Sequence, residues 1–443
     1  MMRDYDIKFV NKEITPFGGL SLFLKMLDRC HFDEQLVKSG IPSQGSNRGY
    51  NPVQIILGLF AGVWCGASRF GHLDIVRYDT TLCNLLGWNR GAAHRAYQRY
   101  LNKFSQATNQ RVFSELFSWL FSELVFDNYT LDFDSTVMVR QGSQEGAAKG
   151  YNPKRPGRPS HHPLLAFVSD VRMIANYWLR PGNTSASTNY LSFLEDTLSR
   201  LQDKRVGLIR MDSSFFSGNI LGYLEQRQLS YIIACRLNNR IKYSLTYEKT
   251  WVEVADSLEI AETTYQAEHW DSPRRIVMVR QEVKKRPKAA GKQVRELELF
   301  EEEQDFGKYR YSCFVTNLAL PAKIVYDSYR GRADSENRIK ELKYDFSIDD
   351  FVSHNFWATE ACGNFIIMAY NFMSLFRHAL INSDKKKFLK TIRYELISTP
   401  AYLGKKKDKH IPYLARSLKT RKSFLSIWEK LKDFSLPYNT EKS

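Results

Sequence analysis

Apolar positions in the first 125 residues recur at helical spacing. The stretch NPVQIILGLFAGVWCGASRFGHLDIVRYD puts Pro52 where a first helical turn tolerates it and then repeats apolar residues three and four apart. Gly87 and Trp88 break the pattern, and RGAAHRAYQRYLNKF resumes it as a short helix bearing Arg90, Arg95, Arg99 and Lys103. A helix-turn-helix-like segment of this kind can lay cations on phosphates, and it can equally be the solvated face of an all-helical domain. From about residue 127 the period shortens to two. TLDFDSTVMV predicts a strand with Leu131, Phe133 and Ser135 on one face and Asp132 and Asp134 on the other.

PLLAFVSD and MIANYWLRPG predict two further strands of the same sheet, and TNYLSFLEDTLSRL a helix after them. VGLIRMDSSFF predicts a strand ending at Asp212, followed by the helix GNILGYLEQRQL and the strand YIIACRL. From 238 to 320 the pattern changes to hairpin-like segments such as YSLTYEKTWVEVA, RRIVMVRQEV and RYSCFVTNL. Between them, basic KKRPKAAGKQVR and acidic ELELFEEEQD read as a solvated hairpin or loop whose basic half can touch DNA. Helical spacing returns in DSYRGRADSENRIKELKYDF and again over 356–380. GNFIIMAYNFMSLFRHALI holds Asn364, Asn371 and Arg377 and falls short of a clean membrane span, so we read it as a buried helix.

Composition narrows the partners. The chain has 443 residues, is 43% hydrophobic and carries a formal net charge of +16, which favours a polyanion, either nucleic acid or an acidic membrane surface. The charges are interspersed, without a persistent amphipathic membrane helix, so the membrane ranks last. The N-terminus, MMRDYDIKFVNKEITPF, lacks a signal-peptide core, and a cytoplasmic protein is expected. Cys30, Cys65, Cys83, Cys235, Cys313 and Cys362 form no CxxC pair or zinc-like spacing and read as reduced packing residues.

The candidate chemistry is carboxylate chemistry. Tyr329, Arg332, Glu336 and Lys343 fall within roughly 60 degrees of one another on a helix, a polar stripe beside Ile339 and Leu342. Gly331 leaves the helix start open. Alone, the stripe is also what an ordinary salt-bridged surface helix shows. Asp134 within one strand and Asp212 at the end of another are costly in a sheet unless paired or bound to a cation. With Glu336 they suggest a site for hard divalent ions, Mg2+ or Mn2+, since no His/Cys cluster calls for zinc. Two such ions about 4 Å apart suit phosphodiester cleavage, activating the nucleophile on one side and the leaving oxygen on the other.

LDFDST, RMDSSF and YRGRADSENRIKELK together resemble the bacterial insertion-sequence transposases: a ribonuclease-H-like fold, a DDE triad and a Tyr-Arg-Glu-Lys signature. The resemblance implies Asp134, Asp212 and Glu336 as catalytic, metal-holding residues. Spacing alone does not choose between Asp132 and Asp134; the family places the catalytic aspartate before a Ser-Thr pair, which selects Asp134. It further implies Tyr329, Arg332 and Lys343 as DNA or phosphate contacts, joined by Lys149, Lys154, Arg155 and Arg158 of the Gly/Pro-rich loop and by Arg95 and Arg99. Trp251 and Trp270 are candidates to stack on an unpaired base or to pack the sheet. His161 and His162 can meet phosphate but are not needed as bases.

The expected architecture is α/β: a helical DNA-binding domain (1–125), a ribonuclease-H-like core (126–237 and 321–385) interrupted by a β-rich insertion (238–320), and a basic C-terminal region (386–443). The implied activity is DNA transposition: binding to terminal inverted repeats of duplex DNA, metal-dependent nicking, and attack by the 3'-hydroxyl on target DNA, with a hairpin intermediate left open. A homodimer holding two ends is implied, with Mg2+ as cofactor, Mn2+ as substitute and two ions per site. The rival readings are a metal-dependent nuclease on the same fold and a catalytically silent DNA-binding derivative.

Overall fold

The computed structural model describes residues 6–9, 11–126, 128–153, 155–248, 250–282, 304–305, 309–381, 387–406 and 409–439. It divides into two compact units: Met1–Val125 with Gly142–Glu145 and Lys340–Ser443, and Phe126–Gln141 with Gly146–Ile339. The architecture is mixed α/β. The basic and acidic runs KKRPKAAGKQVR and ELELFEEEQD lie, save for Gln304–Asp305, outside the described residues.

The first unit opens with α1 (Ser21–Arg29), α2 (Phe32–Lys38), α3 (Pro52–Cys65), α4 (His94–Leu101) and α5 (Gln106–Ser122). Helix α3 starts as its sequence predicts, with Pro52 at the first position and the Asn51 side chain accepting from the Val53 N–H. The unit is completed by α11 (Phe356–Leu380), by the antiparallel pair Ala401–Lys406 and Lys409–Leu414, and by α12 (Leu418–Asp433). Helix α11 contains the long apolar stretch, and nearly its whole circumference is buried. Phe376 stacks on Phe23 with ring centroids 4.1 Å apart, and Phe372 meets Phe32 edge-on at 4.6 Å. Asn364 and Asn371 are buried within it, Asn364 donating back to the Glu360 carbonyl. Among the described residues no single helix is long and apolar enough to cross a membrane. All six cysteines are free thiols and buried.

The second unit is built on one long sheet. Its strands are β1 (Tyr129–Ser135), β2 (Leu164–Val168), β3 (Met173–Trp178), β4 (Val206–Met211), β5 (Tyr231–Ala234), β6 (Val252–Ala255), β7 (Leu258–Tyr265), β8 (Arg274–Glu282) and β9 (Tyr309–Thr316). The spatial order is β3-β2-β1-β4-β5-β9-β8-β7-β6. Strands β2 and β3 run antiparallel to their neighbours, β4 and β5 lie parallel to β1, and β9, β8 and β7 extend the sheet antiparallel. Helices α6 (Tyr190–Leu201) and α7 (Gly218–Gln226) follow β3 and β4. Phe133 of β1 packs edge-on against Tyr190 of α6 at 5.2 Å.

The segment 238–320 differs from the all-hairpin expectation in one respect. YSLTY belongs to a helix, α8 (Asn239–Tyr247), because Asn238 caps the Ile241 N–H and Ile241 and Leu245, four residues apart, bury one face. Its strands do not form a separate sheet: Phe314–Thr316 of β9 pair with Ile232–Ala234 of β5. Helices α9 (Ala322–Arg330) and α10 (Ala333–Tyr344) then carry the chain from the second unit back to the first.

Candidate active site

Register alone brings two acidic residues together. Strands β1 and β4 are parallel, with Phe133 opposite Met211, so the next residue on each is an aspartate, Asp134 and Asp212. Each fixes one oxygen locally. The Oδ1 of Asp134 accepts the Ser135 N–H at 2.8 Å; that of Asp212 accepts the Ser214 N–H at 2.9 Å and the Ser214 hydroxyl. Each then presents Oδ2 to a common point, which the Arg332 guanidinium occupies: Nη2 lies 3.0 Å from Asp134 Oδ2 and 3.7 Å from Asp212 Oδ2. Arg332 also donates to the Phe133 carbonyl at 3.3 Å.

Burial pushes the Asp134 carboxyl up to about 7; the Asp212 and Glu336 carboxylates add to the rise, while Arg332 and the Ser135 N–H oppose it. Burial works against the charge on Arg332, but Asp134, with Tyr329, Asp212 and Asp132, more than offsets it, and its pKa is raised. Glu336, in the first turn of α10, is near enough to Asp134 to contribute the smallest of the effects on its carboxyl. Among the described residues, no three His, Cys, Asp or Glu side chains converge closely enough to hold a metal ion. The donors that do meet, Asp134 Oδ2 and Asp212 Oδ2, are hard oxygens already sharing one cation, the donor chemistry that a divalent ion of the Mg2+ or Mn2+ kind requires.

Asp132, one pleat away, is committed elsewhere. Its fully buried carboxylate takes a two-pronged ion pair from Arg210, Nε to Oδ1 at 2.6 Å and Nη2 to Oδ2 at 2.8 Å. Arg210 also donates to Ser169 Oγ and the Ser328 carbonyl, so it ties β4 to the end of α9. Gly331 leaves room for it: a Cβ would sit 2.6 Å from Arg210 Nη1, so a larger residue would displace the guanidinium. Arg338 in α10 donates to the carbonyls of Val168 and Ser169, at 3.1 and 2.8 Å, and to Asp334. Glu336 therefore rides on a helix anchored beside β2.

The predicted polar stripe is not one helical face. Helix α9 ends at Arg330 and α10 begins at Ala333, so Tyr329 and Glu336 lie on different helices, with Arg332 in the joint. Tyr329 is buried against Phe314, ring centroids 4.4 Å apart, within an apolar cluster that includes Ile232, Val277 and Val325. Lys343, in the first unit, pairs with Asp349 at 3.4 Å. Lys149, Arg155 and Arg158 are exposed on the loop before β2, Arg95 and Arg99 are exposed on α4, and Lys154 lies outside the described residues. Trp270 is buried, with Arg274 over its ring at 4.7 Å and Phe216 and Tyr265 edge-on. Trp251 is half-buried under Arg280 at 4.4 Å.

The sequence reading passed over His162 as a positioning group. Its Nε2 meets Ser135 Oγ at 3.1 Å and its Nδ1 meets the Thr184 carbonyl at 2.8 Å, so it braces the residue after Asp134. The carbonyl demands a donor at Nδ1, which leaves Nε2 to accept from the serine. Arg236 braces the other side, donating to the carbonyls of Ser213 and Ser214 directly after Asp212. Tyr243 and Tyr247 were also missed: they form an exposed aromatic pair 4.2 Å apart on α8, visible in the sequence only once that segment is known to be helical.

Comparison with known proteins bears on the chain as a whole. Residues 3–436 match the family model described as transposase DDE domain group 1. No curated protein matches the chain. Among solved structures, the piggyBac transposase of a cryo-EM synaptic complex with hairpin DNA aligns at a TM-score of 0.46 and 11% identity, over 88% of this chain and 82% of that one. Because the family match runs through nearly the whole sequence, the chain belongs to the DDE-domain transposases of group 1, enzymes of DNA transposition whose chemistry is divalent-metal dependent.

Proposed function

We propose that this chain nicks DNA at the terminal inverted repeats of a mobile element and joins the freed 3'-hydroxyl to target DNA, with Asp134, Asp212 and Glu336 as its metal-holding carboxylates. The observation that carries the reading is the pair of aspartate oxygens from adjacent parallel strands sharing a single cation. Three antiparallel strands followed by two parallel ones, with one aspartate inside the central strand and the other at the tip of its neighbour, support a ribonuclease-H-like core. On this reading 238–320 is an insertion that lengthens the sheet, 1–125 is the DNA-binding domain, and 386–443 is a basic extension.

Divalent ions, Mg2+ with Mn2+ as substitute and two per site, would supply charge stabilisation at the phosphodiester oxygens and an activated nucleophile. The protein's part is positional. Ser135 and Ser214 fix the outer oxygens of the aspartates, which leaves the inner ones aimed at one point once Arg332 withdraws. Asp132, sealed by Arg210, holds the strand geometry without competing for the cation. Arg332, displaced from the aspartates, would be free to hold a phosphate of the bound strand, and Lys149, Arg155 and Arg158 would supply further phosphate contacts. Two copies of the chain would hold the two ends, in the bacterial nucleoid.

The test is nicking of supercoiled DNA carrying the element's ends. Wild type is expected to nick with Mg2+, and D212A to bind DNA with unchanged affinity while nicking falls at least about a thousandfold. Strand-transfer products from a pre-cleaved end separate transposition from hydrolysis. Equal nicking by D212A, or binding without nicking by either protein, removes the catalytic assignment.

A further inference from the structure

Helix α4 presents a polar face whose composition does not fit simple phosphate contact. Arg95, Gln98, Arg99 and Asn102 follow the i, i+3, i+4, i+7 spacing and together bound a concavity of about 480 Å³. The opposite face, Ala96, Tyr97, Tyr100 and Leu101, is buried. It is closely seated: a Cβ on Gly58 of α3 would lie 2.4 Å from the Tyr97 hydroxyl. Among the described residues neither Arg95 nor Arg99 forms an ion pair, and HRAYQRYL contains no acidic residue. The carboxylate at the start of the helix, Asp74, is taken by His94, ring nitrogen to Oδ2 at 3.1 Å. Gln98 makes no side-chain hydrogen bond among the described residues, and Asn102 uses only its oxygen, accepting from Ser353 at 3.1 Å.

We propose that α4 enters the major groove of duplex DNA and reads base edges through Arg95, Gln98, Arg99 and Asn102, making it the sequence-selecting element of the chain. Three features point this way rather than to phosphate binding. Two of the four side chains are uncharged amides, which add nothing to attraction for the backbone. All four end in planar groups, and arginine against guanine, and glutamine or asparagine against adenine, are the pairings that discriminate base pairs in the major groove. A helix with its side chains is about 10–12 Å across, which the roughly 12 Å major groove admits. The helix is held by its apolar face, so the planar groups are displayed from a rigid base. The proposal rests on the DNA-transposase reading above and adds which element chooses the sequence.

The experiment uses the full-length protein and a randomised duplex library at fixed salt, followed by competition binding of the selected duplex against scrambled duplex. Wild type is expected to recover a consensus. Q98A is expected to lose discrimination at one base pair of it by roughly five- to a hundredfold, while affinity for scrambled duplex stays within about twofold. R99A should relax a neighbouring position and also weaken scrambled binding. Unchanged thermal melting shows that either variant is folded. If Q98A and R99A recover the wild-type consensus with undiminished discrimination, or wild type recovers none, the base-reading role is overturned. Metal-dependent nicking of plasmid DNA by wild type, run in parallel, reports on catalysis separately: nicking without a recovered consensus overturns the base-reading role and leaves the transposase reading standing.

Discussion

Arg332 and a divalent cation need the same two oxygens. The guanidinium lies between Asp134 Oδ2 and Asp212 Oδ2, in a setting where burial alone would disfavour both charges. Removing it with R332Q leaves two carboxylates facing each other without a cation, a change that costs about 3 kcal/mol in a buried pair. Calorimetry should therefore show R332Q melting well below wild type without metal, and Mn2+ should recover more of the melting temperature in the variant than Mn2+ adds to wild type. Equal Mn2+ shifts in the two proteins would show that arginine and metal do not compete. At this scale the sequence was informative about identity and silent about pairing. The aspartate before Ser-Thr and the one closing VGLIRM were legible as costly acids in a sheet. That Arg332 turns inward to them was not, because the helical spacing of Tyr329, Arg332 and Glu336 disguises the break between Arg330 and Ala333.

Among the elements, α7 and β8 are linked by a charge pair whose pH dependence has a definite sign. Arg274 donates to both oxygens of Glu225, at 2.7 and 2.8 Å, and Tyr231 donates a third bond at 2.7 Å. The Arg274 hydrogen bonds, against the opposing effect of burial and with help from Tyr231, hold the Glu225 carboxyl below its ordinary value of 4.5. A depressed carboxylate stabilises the fold fully above its unfolded pKa, and the contribution is lost as pH falls through the folded one. E225Q should thus be less stable than wild type by about 1–2 kcal/mol in urea at pH 7, after allowance for partial exposure. The gap should stay flat down to about pH 5 and then close toward pH 3. A gap that widens in acid would assign the stabilisation to something other than the ionised pair. Element boundaries were readable where capping and periodicity agreed, as at Asn51–Pro52 and through β1 to β5. They failed at α8, whose apolar residues Ile241 and Leu245 are too few to outweigh the β-rich surroundings, so the Asn238 cap was the only local sign of a helix.

For the whole molecule, the sheet shows what a linear pattern cannot contain. The strands of the insertion have ordinary hairpin periodicity, and nothing local says that β9 will pair with β5 and continue the sheet, because that pairing joins residues about eighty apart and is selected by burial of Ile232, Val277 and Phe314 together. Charge, by contrast, is a property the sequence states directly. A net +16 predicts that affinity for any duplex falls steeply with salt, since each neutralised phosphate releases counterions and adds about 0.9 to the slope of log K against log salt. The base-reading face on α4 and the exposed loop of Lys149, Arg155 and Arg158 should respond differently. K149A/R155A/R158A is expected to shallow the salt slope by about two to three while leaving the selected consensus intact, because cations on phosphate carry affinity without sequence. Q98A should do the reverse, keeping the slope and altering the consensus. If the loop variant changes which sequence is selected, or leaves the slope where it was, the division between a loop that grips the backbone and a helix that reads the bases does not hold.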